Sequence, residues 1–149
     1  MTDSMMPPTT PLNQNQIILG FDFGLKHIGL AVGQTLINTA RPLVVLKAKD
    51  GKPRWQEIEE QLAEWRPSYL VVGLPLNMDG TESDMSVRAK KFANRLHGRF
   101  GLAVELCDER LSSFEAKSQL AEGRKISQGD TVDAIAAQLI VESWLARSS

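Results

Sequence analysis

Short apolar segments along the chain predict five β-strands. Residues 17–23 (IILGFDF) form an apolar run with one acid inside it, and residues 28–34 alternate large and small side chains; the short gap between them favours a hairpin. Residues 69–75 show no alternation, as expected of a strand that is covered on both faces. The remaining two predicted strands span residues 42–48 and 103–109.

Helical periodicity predicts four helices between and after these strands. A turn at Asp50-Gly51 precedes the first helix, which has Pro53 in its first turn and apolar positions from Trp55 to Trp65. The second carries its apolar face from Met85 to Phe100 and closes at Gly101. A short helix is expected over residues 112–123. A last helix, capped by Asp130, has its apolar positions at Ala136, Ala137, Ile140, Val141 and Trp144.

This order of elements predicts an α/β fold. Three antiparallel strands joined by hairpins come first, and parallel βα units follow, which indicates a mixed five-stranded sheet with helices on both faces. Right-handed crossovers would make the first, fourth and fifth predicted strands parallel neighbours, with the first strand central. The carboxyl ends of those strands are then the expected place for a functional site.

Composition narrows the class of protein. The 149 residues are 42% hydrophobic, enough for one domain, and 17 basic against 18 acidic residues give a net charge of −1, so the chain is no global polycation. A single cysteine, Cys107, excludes an internal disulfide framework and a Cys-rich zinc site and fits a cytoplasmic protein. There is no signal-peptide pattern and no apolar run of about 20 residues. The Pro-rich residues 1–16 are expected to be a disordered leader before a domain over residues 17–149.

Three acidic residues lie where acids are uncommon. Asp22 is inside an apolar strand, Glu109 ends the last predicted strand, and Asp133 shares a helix face with alanine, isoleucine, valine and tryptophan. Each has an ordinary alternative: a hydrogen bond from Asp22 to a turn, a surface pair of Glu109 with Arg110, or a favourable position of Asp133 near a helix N-terminus. If the three converge, their mutual repulsion favours hard divalent cations, and two such ions can cleave a phosphodiester.

Four segments of the chain together resemble the YqgF (RuvX) family, Holliday-junction-resolvase-like proteins and pre-16S rRNA nucleases with the RNase H-like fold. The segments are FDFGLKHIGLAVG, VVGLPLNMDGTES, DERLSS and DAIAA, and the resemblance covers about residues 17–146. It implies that Asp22, Glu109 and Asp133 are catalytic residues and metal ligands, for Mg²⁺ or Mn²⁺. The family often has Arg where this chain has His27, and often Thr after the DERL segment where this chain has Ser112 and Ser113.

Basic and polar residues supply candidates for substrate binding. The second predicted helix presents a basic stripe with no acid between Met85 and Val104, which could follow a phosphate backbone or be an ordinary solvated face. Its members are Arg88, Lys91, Arg95 and Arg99, with Lys90 near the edge. The other candidates are Lys26 and Arg110 beside the acids, Asn77 in the polar loop after the fourth strand, and Arg124 and Lys125 before the last helix. Asp79 in the same polar loop is a weaker candidate for an outer metal ligand. The two histidines lack metal-ligand spacing and are expected to be structural or surface residues, whereas Cys107 and the tryptophans are expected in the core.

The sequence thus predicts a metal-dependent nuclease in the cytoplasm, and the resemblance implies 5′-end processing of precursor 16S rRNA. The expected partners are nucleic acid and pre-ribosomal particles, without a membrane, for a monomer or weak homodimer. One alternative is a Holliday junction resolvase that uses the same acids on four-way DNA. Another is a non-catalytic nucleic-acid-binding module, against which the intact acids argue.

Overall fold

The computed structural model describes residues 15–109 and 129–148. The strands are β1 (Ile17–Asp22), β2 (His27–Gln34), β3 (Thr39–Lys49), β4 (Lys52–Pro53), β5 (Tyr69–Leu74) and β6 (Ala103–Asp108). The helices are α1 (Trp55–Trp65), α2 (Asp84–Phe100) and α3 (Gly129–Ser148). The short helix predicted over residues 112–123 and residues 1–14 of the predicted leader lie outside the described residues. Leader residue Asn15 contacts the β2–β3 turn, where its Oδ1 accepts a hydrogen bond from the Leu36 N–H at 3.0 Å.

The strands form one mixed sheet in the order β4-β3-β2-β1-β5-β6. β1 pairs antiparallel with β2 and parallel with β5, and β5 pairs parallel with β6. The predicted directions and the parallel set of the first, fourth and fifth predicted strands are therefore confirmed. The carboxyl ends of β1, β5 and β6 lie along one edge, which is called the carboxyl edge below.

The sheet has one strand more than the sequence predicted, and the position expected for Pro53 is wrong. Lys52 and Pro53 pair with Lys49 and Ala48 as a short hairpin strand, and α1 begins only at Trp55. The cause is the Asp50-Gly51 turn: both residues have positive φ, 52° and 79°, which is the two-residue turn that joins hairpin strands. A proline is tolerated there because the strand lies at the edge of the sheet.

Alternation along β1 divides the molecule into two cores. Leu19, Phe21 and Phe23 face α1 and α2 and are buried with Phe92 and Leu96 of α2. The intervening Ile18 belongs to the opposite core, which Ile140, Val141 and other residues of α3 cover. Helices therefore lie on both faces of the sheet, as predicted. Because side chains alternate along a strand, Asp22 lies on the α3 face and Phe23 on the α1/α2 face.

Glycines let α3 lie unusually close to the sheet. A Cβ on Gly20 would be 2.2 Å from Val141 Cγ2, and a Cβ on Gly33 would be 2.4 Å from Val141 Cγ1. α3 begins at Gly129, one residue before the predicted cap Asp130, and runs across β1 and β2. Ala137 of α3 is fully buried at this contact, and its carbonyl oxygen would be 3.5 Å from a Cβ on Gly20. Across residues 15–109 and 129–148, no helix combines the length and apolar character that a membrane crossing needs.

Candidate active site

Asp22 and Asp133 lie near each other because the strand residue beside Asp22 is a glycine, Gly29, against which the start of α3 packs. Asp22 is the last residue of β1 and is paired with Gly29 of β2. A Cβ on Gly29 would lie 2.1 Å from the carbonyl oxygen of Asp133, so the backbone of α3 rests directly on β2 at this point. Both carboxylates are partly buried. The site thus begins on the α3 face of the carboxyl edge.

Glu109 reaches the same place across β5. It follows β6, and β5 lies between β6 and β1. A Cβ on Gly73 of β5 would lie 2.7 Å from Glu109 Cγ and 2.9 Å from its Cδ, so the glycine leaves the space that this side chain occupies. Glu109 and Asp22 are joined by a side-chain hydrogen bond. An alanine at position 73 would force the side chains of Glu109 and Ile140 to shift.

The electrostatics of the site are those of crowded carboxylates. The pKa of Asp22 is raised well above its usual value, chiefly by burial, then by the charge of Glu109 and its hydrogen bond, and then by the charge of Asp133. The pKa of Glu109 is also raised, mainly by burial; the hydrogen bond with Asp22 opposes this effect, and the charge of Asp108 adds to it. Their hydrogen bond raises the pKa of Asp22 and lowers that of Glu109, so one proton shared between the two carboxyl groups accounts for the contact.

The oxygen atoms of this pair of carboxyl groups are suitable ligands for a hard divalent cation. Two hydrogen-bonded carboxyl groups need either a shared proton or a cation between them, and all-oxygen ligands are those that Mg²⁺ and Mn²⁺ prefer. Within the described ranges, however, no set of three or more His, Cys, Asp or Glu side chains is arranged to enclose a metal ion. Asp22 and Glu109 are in direct contact, and the charge of Asp133 acts on Asp22.

The loop after β5 is held rigidly by its own side chains. The Asn77 side-chain amide donates to Thr81 Oγ1 at 3.0 Å and to the Glu82 carbonyl at 3.2 Å. Asp79 Oδ1 accepts from the N–H of Thr81 at 3.0 Å. Ser83 caps α2 in a reciprocal capping box with Ser86 and also donates to the Pro75 carbonyl at 2.6 Å. The geometry gives Asn77 a structural role beside the site and places Asp79 within the same loop.

The structure divides the predicted basic stripe of α2. Arg88, Lys91 and Arg95 are exposed and line one groove, whereas the Arg99 guanidinium lies over the ring of Trp55, 4.4 Å from its centroid. Helical spacing puts four residues on one face, but the packing of α1 against the end of α2 gives Arg99 an aromatic partner. Lys26 is exposed in the β1–β2 turn. The predicted substrate residues Arg110, Arg124 and Lys125 lie outside the described residues.

The residues expected to be structural are placed accordingly. Cys107 is fully buried, and burial raises the pKa of its thiol. His97 Nδ1 is 2.9 Å from the Leu102 carbonyl, to which it donates. Trp55 stacks on Phe92 with ring centroids 5.9 Å apart, and Trp144 Nε1 donates to the Tyr69 hydroxyl at 2.8 Å. His27 is exposed at the start of β2.

Two features of the site were not found by sequence reasoning. The alternation of large and small residues in β2 predicted a strand but not that Gly29 would receive the α3 backbone. No role was predicted for Lys52, yet it lines the same groove as the three basic residues of α2. The sequence could not predict that Lys52 lines this groove, because the residues of the opposite wall are more than 30 positions away along the chain.

The mixed sheet, with helices on both faces and acidic residues at its carboxyl edge, is an RNase H-like fold. Three resolvase structures share it. Thermus thermophilus RuvC in complex with Holliday junction substrate aligns with a TM-score of 0.52 at 18% identity, over 90% of this chain and 96% of that one. The structure of Fowlpox virus resolvase with Holliday junction DNA aligns with a TM-score of 0.53 at 16% identity, over 89% of this chain and 98% of that one. The yeast mitochondrial Holliday junction resolvase aligns with a TM-score of 0.54 at 10% identity, over 93% of this chain and 80% of that one.

The chain belongs to the RuvX family, whose model is described as a Holliday junction resolvase and matches residues 16–147. Its relatives include proteins named "Putative pre-16S rRNA nuclease". The one from Aeromonas salmonicida is 56% identical over 86% of this chain and 93% of its own length. Those from Pectobacterium carotovorum and Proteus mirabilis are 56% and 55% identical, over 88% and 89% of this chain and 96% and 97% of theirs.

Proposed function

We propose that this protein is a divalent-metal-dependent nuclease that processes the 5′ end of precursor 16S rRNA in the cytoplasm. The observation that carries the chemistry is the hydrogen-bonded contact of Asp22 with Glu109 beside the charge of Asp133, at the carboxyl edge of a nuclease fold. The substrate is inferred from the relatives named for pre-16S rRNA, which are more than half identical to this chain over nearly their whole length. Pre-ribosomal particles are the corresponding partners, and the protein would act as a monomer or weak homodimer.

In the proposed mechanism, Asp22, Glu109 and Asp133 hold the cations. Bound Mg²⁺ or Mn²⁺ would polarise the phosphodiester and lower the pKa of a water that attacks phosphorus. Asp22 lies between the other two acids and is the candidate for a shared ligand. The positive charge of a cation would offset the repulsion between Asp22 and Glu109 and favour their ionised forms, in which both carboxylates would be ligands and their proton would be released to solvent. Gly29 and Gly73 keep this space open, because a side chain at either position would collide with the acidic residues.

The test is cleavage of a labelled RNA that contains the 5′ precursor segment of 16S rRNA, with Mg²⁺ or Mn²⁺ and with EDTA. We expect wild-type cleavage only with metal, and a loss of at least about a hundredfold in the Asp22→Asn and Glu109→Gln variants, as for removal of a principal electrostatic group. The matched control is Glu105→Gln, which changes an exposed carboxylate of β6, the strand that leads to Glu109, and should cleave like wild type. Equal cleavage by wild type and Asp22→Asn would overturn the role of Asp22.

A second candidate function is Holliday junction resolution. It is favoured by the family description and by the fold shared with resolvases. A resolvase would need two sites that cut opposite strands, whereas the processing of one RNA end needs a single site. Parallel assays with a four-way DNA junction and the precursor RNA separate the two: symmetrical cuts in the junction with intact RNA would replace the first proposal. Binding without cleavage of either substrate would favour a non-catalytic module.

A further inference from the structure

We propose that a groove between the β3–β4 turn and α2 binds one strand of a nucleic acid by its phosphates, with Lys52 as a binding residue. This inference rests on the proposed nuclease function and names the path that the substrate follows beyond the acids. The groove has a volume of about 480 Å³. Its basic lining residues are Lys52 on one wall and Arg88, Lys91 and Arg95 on the other.

The two walls of the groove are held apart by a packed floor. The ring of Phe23 lies beneath the turn, since a Cβ on Gly51 would be 2.6 Å from its Cζ. The same ring is 5.2 Å from the ring of Phe92 of α2, centroid to centroid. The β3–β4 turn is also tied to the β1–β2 turn by a 2.9 Å hydrogen bond from the Gly51 N–H to the Leu25 carbonyl. Lys52 and the arginines therefore face a common space whose width the protein core sets.

The groove adjoins the acidic site. Phe23 of its floor directly follows Asp22, so the two Cα atoms are about 3.8 Å apart, and alternation places them on opposite faces of the sheet. α2 begins at the carboxyl edge, because it follows the loop from the end of β5. Arg88, Lys91 and Arg95 thus extend away from that edge along one helix face. A strand held in the groove can cross the edge and present its next phosphates to Asp22.

Charge and size specify the ligand. The lining carries four basic side chains, all exposed, against two acidic ones, Asp50 and Asp84. Asp84 lies in the first turn of α2, where a negative charge interacts favourably with the helix N-terminus. The volume is within the range of about 300–1,000 Å³ typical of small-molecule sites, so a few nucleotides of one strand fit inside the groove. Because the proposed substrate is a precursor RNA, single-stranded RNA is the expected occupant.

The experiment measures binding without cleavage. Fluorescence anisotropy of a labelled oligouridine of about ten nucleotides is recorded in EDTA over a series of KCl concentrations. Each phosphate contact of a single strand contributes about 0.7 to the slope of log affinity against log salt, or about fivefold in affinity at about 0.1 M salt. We expect Lys52→Gln and Arg95→Gln each to lower the slope and the affinity by these amounts. The control Arg66→Gln changes an exposed arginine that precedes β5, at the opposite edge of the sheet, and should bind like wild type.

The outcomes separate this inference from the proposed function. The proposal that the groove binds RNA is wrong if Lys52→Gln has the wild-type salt slope, or if the wild type does not bind the oligouridine, even when the precursor RNA is cleaved. Lys52-dependent binding without any cleavage supports the groove and contradicts the nuclease proposal. A duplex RNA that binds as tightly, with the same dependence on Lys52, overturns the assignment to a single strand. Thermal unfolding of each variant checks that it is folded.

Discussion

At the scale of single residues, the acids of the site are determined by what surrounds them. Asp22 ends a strand whose other side chains are apolar or absent, and this burial is the largest cause of its raised pKa. The sequence predicts all three acids as site residues, because Asp22 and Asp133 interrupt apolar patterns and Glu109 ends a strand. It could not show that Asp22 would contact Glu109, since that contact depends on the side chain missing at Gly73.

The raised pKa of Asp22 predicts how stability depends on pH without divalent cations. The folded state retains a proton that the unfolded chain releases near the ordinary carboxyl pKa of about 4. Stability should therefore fall as the pH rises from about 4 towards the raised pKa. Asp22→Asn has no such proton, so it should show a flatter profile and be more stable than wild type above this window. Urea unfolding in EDTA at a series of pH values measures the difference, and a wild type that gains stability relative to the variant over this range would contradict it.

At the scale of elements, the contact between β2 and α3 positions Asp133. The α3 backbone lies against Gly29, and Val141 lies against both Gly20 and Gly33. From the sequence, the strands, their directions and the helices over α1, α2 and α3 were predictable, because each has its own periodicity. β4 was not, because two residues are too few to show a period and its pairing depends on the hairpin turn.

Gly29→Ala tests whether this close approach matters for the site. The added Cβ would meet the Asp133 carbonyl at 2.1 Å, and a backbone atom cannot rotate away, so α3 must shift. We expect a loss of about 1–3 kcal/mol in the free energy of unfolding, as for overpacking, and weaker cleavage.

Gly98→Ala is the control for this variant. Gly98 lies on α2, and an added Cβ there would meet nothing within 4 Å. We therefore expect the substitution to leave the free energy of unfolding unchanged or to raise it by about 0.5–1 kcal/mol. Denaturant unfolding and the RNA cleavage assay report on both variants. A Gly29→Ala protein as stable and active as wild type would show that the position of α3 is not needed.

At the scale of the whole molecule, the carboxyl edge joins two surfaces with opposite charge. The acids lie on its α3 face, and the basic groove lies on its α1/α2 face. The net charge of −1 conceals this division, because the sum over the chain says nothing about arrangement. A phosphate backbone can then be attracted to the groove although the acids repel it when no cation is present.

Addition of Mg²⁺ should stabilise the whole fold, because the proposed ligands come from β1, the residue after β6 and α3. Binding to the folded state alone contributes about 2.7 kcal/mol at a free metal concentration of about 100 times Kd. The thermal midpoint of the wild type should rise with MgCl₂ and return with EDTA, whereas that of Asp22→Asn should change little. An equal rise of the thermal midpoint in both proteins would show that the ions bind at a site that does not include Asp22.

The sequence by itself determined the class of fold, the central strand and the parallel set, because these follow from local periodicity. It also predicts the three acids as site residues, because they interrupt an apolar pattern or end a strand. Only the tertiary structure decided that Glu109 crosses Gly73, that α3 rests on Gly29, and that Lys52 shares a groove with Arg88, Lys91 and Arg95 while Arg99 stacks on Trp55. These relations join residues far apart along the chain. They depend on how closely two packed surfaces approach, which no local pattern records.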